Sequence, residues 1–97
     1  MILRPELFNP QSIVVVGGSK DSSKPGGKAL QNILRHGYEG KVYAVNPKES
    51  RVQGIPSYPD CEALPHVDLA IIAIAAAYVE ETIRILANEK NCKVFIL

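Results

Sequence analysis

Ser12-Ile13-Val14-Val15-Val16 is a β-branched run that stops on two glycines, Gly17-Gly18. It has no polar face, so as a strand it must be covered on both sides, which is the situation inside a parallel sheet. Parallel neighbours are joined by long crossovers, usually helical ones. A chain that carries this run therefore needs helices on both faces of a sheet.

The rest of the sequence supplies them. Proline near the start and Gly37 past the end bound a helix from Pro25 to His36, with Ala29, Leu30, Ile33 and Leu34 at helical spacing. Lys41-Val42-Tyr43-Ala44-Val45 reads as a second strand, halted by Asn46-Pro47. Gly54 to Tyr58 fits a short edge strand, where its proline is tolerated. A helical turn around Cys61 to Leu64 precedes the run from Val67 to Ile74, apolar except for Asp68, a third buried strand. From Ala77 the period turns helical, with Val79, Ile83, Leu86 and Ala87 on one side and Glu80, Glu81, Arg84 and Glu89 on the other. Lys93 to Leu97 reads as a last buried strand, and Asn9-Pro10 as a turn before the first. The expectation is an α/β, Rossmann-like three-layer fold around a four- to five-stranded parallel sheet with right-handed crossovers.

At 97 residues the chain is one domain, residues 1–97. It ends inside an apolar strand, which reads as an N-terminal module cut from a longer protein, or as an edge that pairs with another chain in a homo-oligomer. The apolar stretch from Leu69 to Val79 is about half of a bilayer span, and the first residues lack a signal-peptide pattern. A cytoplasmic setting without a membrane partner follows as the expectation. The net charge of +1 gives no case for nucleic acid, so any anion must be bound locally. Cys61 and Cys92 lack metal-ligand or redox spacing and read as structural.

Ligands of open parallel sheets sit beyond the carboxyl ends of the strands. Here those ends are Gly17 to Lys24, Asn46 to Lys48 and Ala75 to Tyr78. Glycines after the first strand let a phosphate approach the backbone, Ser19 adds a hydroxyl, and the helix start at Pro25-Gly26-Gly27 turns N–H groups and positive dipole outward. The plainer role, in which Gly17 and Gly18 only turn the chain, stands beside this one. A P-loop is excluded, since Ser22 stands where the second glycine is needed and Lys28 is followed by Ala29. GxGxxG is excluded as well, because Ser19 and Ser22 occupy its glycine positions. Where NAD proteins keep a carboxylate, this chain has Asn46-Pro47-Lys48, and a cation there suits the ribose phosphate of coenzyme A or of NADP.

Nearly the whole chain resembles one family, the coenzyme A-binding domain of NDP-forming acyl-CoA synthetases, of the ADP-forming acetyl-CoA synthetase and succinyl-CoA synthetase α-subunit kind. The similarity runs through Leu7-Phe8-Asn9-Pro10-Gln11-Ser12-Ile13, Val14-Val15-Val16-Gly17-Gly18-Ser19, Gly37-Tyr38-Glu39-Gly40-Lys41-Val42-Tyr43-Ala44-Val45-Asn46-Pro47-Lys48, Gly54-Ile55-Pro56-Ser57-Tyr58-Pro59 and Val67-Asp68-Leu69-Ala70. The resemblance implies that Gly17, Gly18, Ser19 and Lys20 line the phosphates of coenzyme A, with Gly26 at the helix start. It further implies that Asn46, Pro47 and Lys48 border the adenosine and its 3′-phosphate, and that Ile74, Ala75 and Ala76 wall the pantetheine side. Ala75 stands where the family usually has proline.

In this family a phosphoryl group passes through a histidine of a later domain. His36, in the last turn of a helix, and His66, before a strand, read here as structural. The chain is thus expected to bind and not to catalyse, as part of an acid-thiol ligase that works with a downstream nucleotide-grasp domain or subunit. Lys20, Lys24 and Lys28 either steer phosphates or are merely solvated. Two other functions stand beside the ligase: a stand-alone or regulatory coenzyme A-binding module, including the kind fused to acetyltransferases, and the NADP-binding half of an oxidoreductase.

Overall fold

The computed structural model describes residues 10–92 and 94–96. The expectations for the N-terminal segment before Pro10, and for Lys93 and Leu97 as ends of the last strand, lie outside them. Strand β1 (Ser12–Val16) is buried along all five residues and lies at the middle of the sheet. It pairs in parallel with β2 (Lys41–Val45) on one side and with β5 (Leu69–Ile72) on the other. Outside β2 comes β4 (Ile55–Tyr58), parallel, and then β3 (Arg51–Val52), antiparallel to β4; outside β5 comes β6 (Val94–Ile96), parallel. The order is β3-β4-β2-β1-β5-β6. Five parallel strands agree with the expected sheet. The two-residue antiparallel β3 was not foreseen, because two residues are too few to show a period, and its pairing makes β4 an inner strand where an edge strand was expected.

Side chains of one strand alternate between faces, and β1 splits its valines accordingly. Val15 packs with Val42, Ala44, Val52 and Leu30, the last from helix α1 (Pro25–Arg35). Val14 and Val16 face the other way, towards Val45, Ala70, Ile72 and Leu86, the last from helix α2 (Val79–Glu89). Each helix thus covers one face, which makes the three layers. Leu30 and Leu86 are completely buried, a contribution of about 1.5–3 kcal/mol each.

Two further expectations need correction. The buried side of α2 is Thr82 and Leu86, with Val79, Ile83 and Ile85 half-buried, whereas Ala87 is exposed. The stripe that meets the sheet is fixed by where the helix docks, and a threonine methyl serves there as well as an apolar residue. The apolar run from Val67 to Ile74 is strand only over Leu69–Ile72. Apolarity reports burial and not ladder pairing: the Val67 N–H donates to the Lys90 carbonyl at 3.3 Å, outside the sheet. Among the described residues no helix is long and apolar enough to cross a membrane.

Candidate functional site

β2 and β5 leave β1 in opposite directions, so the strand order reverses at β1 and the crevice forms where β1 ends. Gly17 turns the chain there with φ of +90°, in the left-handed region. A side chain would also strike the carbonyl of Ala73, which follows β5. The Gly17 N–H donates to the Val45 carbonyl at 3.0 Å, and Gly18 N–H to that of Val15 at 3.2 Å. The loop is therefore anchored at its first two residues.

Beyond them several backbone donors stand without an acceptor. Among the described residues, no acceptor lies on the N–H of Ser19, Lys20, Gly26 or Gly27. α1 carries proline in its first turn, no side-chain cap at Lys24 and no acidic residue in that turn, so nothing of its own neutralises its positive end. Gly26 is buried against the Gly17 carbonyl, where a Cβ could not fit, and this contact seats the helix start on the loop. Ser19 Oγ accepts from the Asp21 N–H at 3.0 Å and keeps its own proton to donate. Asp21 in turn accepts from the Ser23 hydroxyl at 2.6 Å and its N–H at 2.9 Å, and these bonds hold the Asp21 carboxyl below its usual range.

The turn after β2 is tied to the same loop. Asn46 Nδ2 donates to the Gly18 carbonyl at 3.1 Å, and Asn46 Oδ1 accepts from the Lys48 N–H at 2.8 Å. Gln53 is a residue that sequence reasoning missed; its Nε2 donates to the carbonyls of Ser19, at 2.7 Å, and Gly27, at 3.0 Å. Lys48 is exposed, and Lys20 Nζ lies 3.6 Å from Glu49 Oε1 in a solvated pair that is weak enough to exchange for another anion.

Two cavities adjoin these turns. The larger, about 430 Å³, has Val16, Val45, Pro47, Ile74, Tyr78 and Ile85 in its wall and the carboxylates of Asp60, Glu62 and Glu81 at its edge. The smaller, about 290 Å³, takes in Asn46, Pro47, Lys48 and Ser57. Ser57 Oγ is buried without a hydrogen-bond partner among the described residues. Of the residues singled out from the sequence, Pro47 borders both cavities and Ile74 the larger. Gly17, Gly18, Ser19 and Lys20 form the loop after β1, Gly26 lies in the first turn of α1, and Ala75 and Ala76 are exposed where the chain leaves β5; none of these seven lines either cavity.

Both histidines and Cys92 are engaged elsewhere, and Cys61 is buried. His36 Nδ1 meets the Asn32 carbonyl at 2.7 Å, the helix-end contact expected for it. His66 places one ring nitrogen 2.9 Å from the Lys90 carbonyl and the other 2.8 Å from Asp68 Oδ1. Burial pushes the Cys61 thiol up to about 11, which keeps it protonated and inert. Cys92 Sγ donates to the Asp68 carbonyl at 3.5 Å.

Comparison with known proteins gives one consistent result. Residues 11–97 match the family model described as a CoA binding domain. The α subunit of acetate–CoA ligase [ADP-forming] II of Pyrococcus furiosus is 40% identical over 88 residues, covering 90% of this chain and 19% of that protein. Acetate–CoA ligase [ADP-forming] II of Archaeoglobus fulgidus is 39% identical over 77 residues, 78% of this chain and 11% of the relative. Among solved structures, the apo form of a dinucleotide-forming acetyl-coenzyme A synthetase 1 of Ca. Korarchaeum cryptofilum superposes with a TM-score of 0.85 at 38% identity, over 93% of this chain and 20% of that one. This chain spans about a fifth or less of these relatives. The coenzyme A reading is supported over the NADP one, and the chain belongs to the CoA binding domain family.

Proposed function

We propose that this chain holds coenzyme A across the ends of β1, β2 and β5 as one domain of an NDP-forming acyl-CoA synthetase. The observation that carries this reading is the set of N–H groups without an acceptor among the described residues, Ser19 and Lys20 in the loop and Gly26 and Gly27 at a helix start with no side-chain cap. Such donors favour a diphosphate. Gly17 and Gly18 let it approach, and Ser19 and Lys20 add a hydroxyl and a charge. Gly26 contributes by packing the helix start onto the loop.

Asn46, Pro47 and Lys48 are assigned to the adenosine and its 3′-phosphate. The smaller cavity supports this: it is lined by Asn46, Pro47 and the exposed cation of Lys48. Ile74, Ala75 and Ala76 are assigned to the pantetheine side, which the place of Ile74 in the wall of the larger cavity supports. Acyl transfer itself belongs to a longer protein. It requires a histidine that carries phosphate, and both histidines here are hydrogen-bonded into the fold, so the chain binds the thiol carrier and presents it to a nucleotide-grasp domain or subunit. A reducing cytoplasm suits the buried thiol of Cys61.

Calorimetric titration of the 97-residue chain with coenzyme A, 3′-dephospho-coenzyme A, NADP and NAD tests the assignment. Coenzyme A should bind tightest. Lys48→Ala should weaken coenzyme A about tenfold, in line with loss of one charge-assisted contact, and leave the dephospho form unchanged. Tighter binding of NADP than of coenzyme A would overturn the reading.

A further inference from the structure

β3 and β4 are joined by two residues, Gln53 and Gly54, both with positive φ, +50° and +84°. That is the geometry of a type I′ hairpin turn, whose first position favours Asn, Asp or Gly. Glutamine is a poor choice for the turn itself. Its side chain, however, leaves the hairpin and crosses to the crevice, where Nε2 donates to the carbonyls of Ser19 and Gly27, 34 and 26 positions away in sequence. Two carbonyl oxygens can accept but not donate, so the amide must present nitrogen to them, and both of its N–H groups are used.

We infer that Gln53 is a positioning residue for the coenzyme's phosphates: it fixes the loop after β1 and the first turn of α1 as one donor surface before ligand arrives. The inference rests on the coenzyme A reading above. Its physical basis is the planar trans peptide. The carbonyl of Ser19 and the N–H of Lys20 belong to one peptide unit and point in opposite directions. Holding that carbonyl on Gln53 therefore turns the Lys20 N–H away from the hairpin, and this N–H has no acceptor among the described residues. Gly27 is tied to the same nitrogen, so the two segments that offer donors cannot drift apart. Donors that are already in place spare the ligand the entropy of ordering them, and affinity rises accordingly.

Turn chemistry and clamp can be separated by substitution. Gln53→Asn suits the left-handed turn better but is shorter by one carbon–carbon bond, about 1.5 Å, and no longer reaches both carbonyls. Gln53→Met keeps the length and loses the donors. Affinity for coenzyme A is measured by calorimetry for wild type and both variants, with melting temperatures alongside. The expected result is about tenfold weaker binding in each variant, from two lost hydrogen bonds, with a melting temperature in Gln53→Asn no lower than wild type. If Gln53→Met does not fold, Gln53→Asn decides. Wild-type affinity in a folded Gln53→Asn overturns this inference and leaves the proposed function standing. A wild-type chain that does not bind coenzyme A overturns both.

Discussion

Asn46 Nδ2 donates to the carbonyl of Gly18 at 3.1 Å, and through this bond the turns that follow β2 and β1 behave as one piece. Its other amide atom, Oδ1, takes the Lys48 N–H at 2.8 Å, so the amide aligns the backbone around Lys48 as well. Asn46→Ala removes both bonds at a cost of about 1–2 kcal/mol. For a domain of this size each kcal/mol lowers the melting temperature by about 4–8 °C, which thermal denaturation followed by circular dichroism will read. An unchanged melting temperature would show that the two turns are held together by other contacts.

Gly26→Ala sets two effects against each other. Alanine is the better helix former, worth about 0.5–1 kcal/mol. Its Cβ, however, would occupy the space of the Gly17 carbonyl, a backbone atom that cannot rotate aside. Overpacking of that kind costs about 1–3 kcal/mol, so the collision outweighs the propensity and the variant should be less stable in urea denaturation. Because the helix start must move off the loop, affinity for coenzyme A should fall with it.

Ala75→Pro should stabilise the chain. Ala75 has φ of −60° and ψ of 142°, which proline adopts without strain, and it is exposed. Among the described residues no acceptor lies on its N–H, so none is lost. Restricting the unfolded chain is worth about 0.4–1 kcal/mol, a rise of a few degrees in melting temperature. A fall would mean that Ile74 cannot accept a following proline.

Asp68 makes the fold sensitive to acid. The backbone N–H of Gln11 donates to its carboxylate at 2.8 Å and, together with His66, holds the carboxyl below its ordinary 3.8 in spite of partial burial. A depressed folded value means that the stabilisation is complete above 3.8 and is lost as pH falls through the folded value. Asp68→Asn should cost about 2 kcal/mol at neutral pH, as for a hydrogen bond to a charged group. Urea midpoints of wild type and variant should converge once the pH drops well below 3.8. A gap that persists in acid would remove the carboxylate from the account.

Elements bounded by strong local signals were legible from the sequence. β2 occupies the residues expected of it, Lys41–Val45, and α1 ends one residue early, at Arg35 instead of His36. Proline and glycine act on their own backbone and need no knowledge of the rest of the chain. β3 and the true inner side of α2 were not legible: a two-residue strand exists only through its partner, and Thr82 is inside only because of where the helix docks.

The same division holds at the site. The sequence by itself determined that a glycine loop would follow a buried strand, that a helix opening on Pro25-Gly26-Gly27 would begin after it, and that a cation would stand after the next strand. Each of these is a property of neighbouring residues, expressed through φ, hydrogen-bonding groups and charge. Only the tertiary structure decided that Asn46 and Gln53 hold the loop in place and that the Gly26 backbone rests on Gly17. Those contacts join positions 9 to 34 residues apart, and a polar side chain carries no mark in the sequence of which distant carbonyl it will meet. Pairing is settled by packing of the sheet and helices, which brings donor and acceptor together and excludes the water that would otherwise serve both.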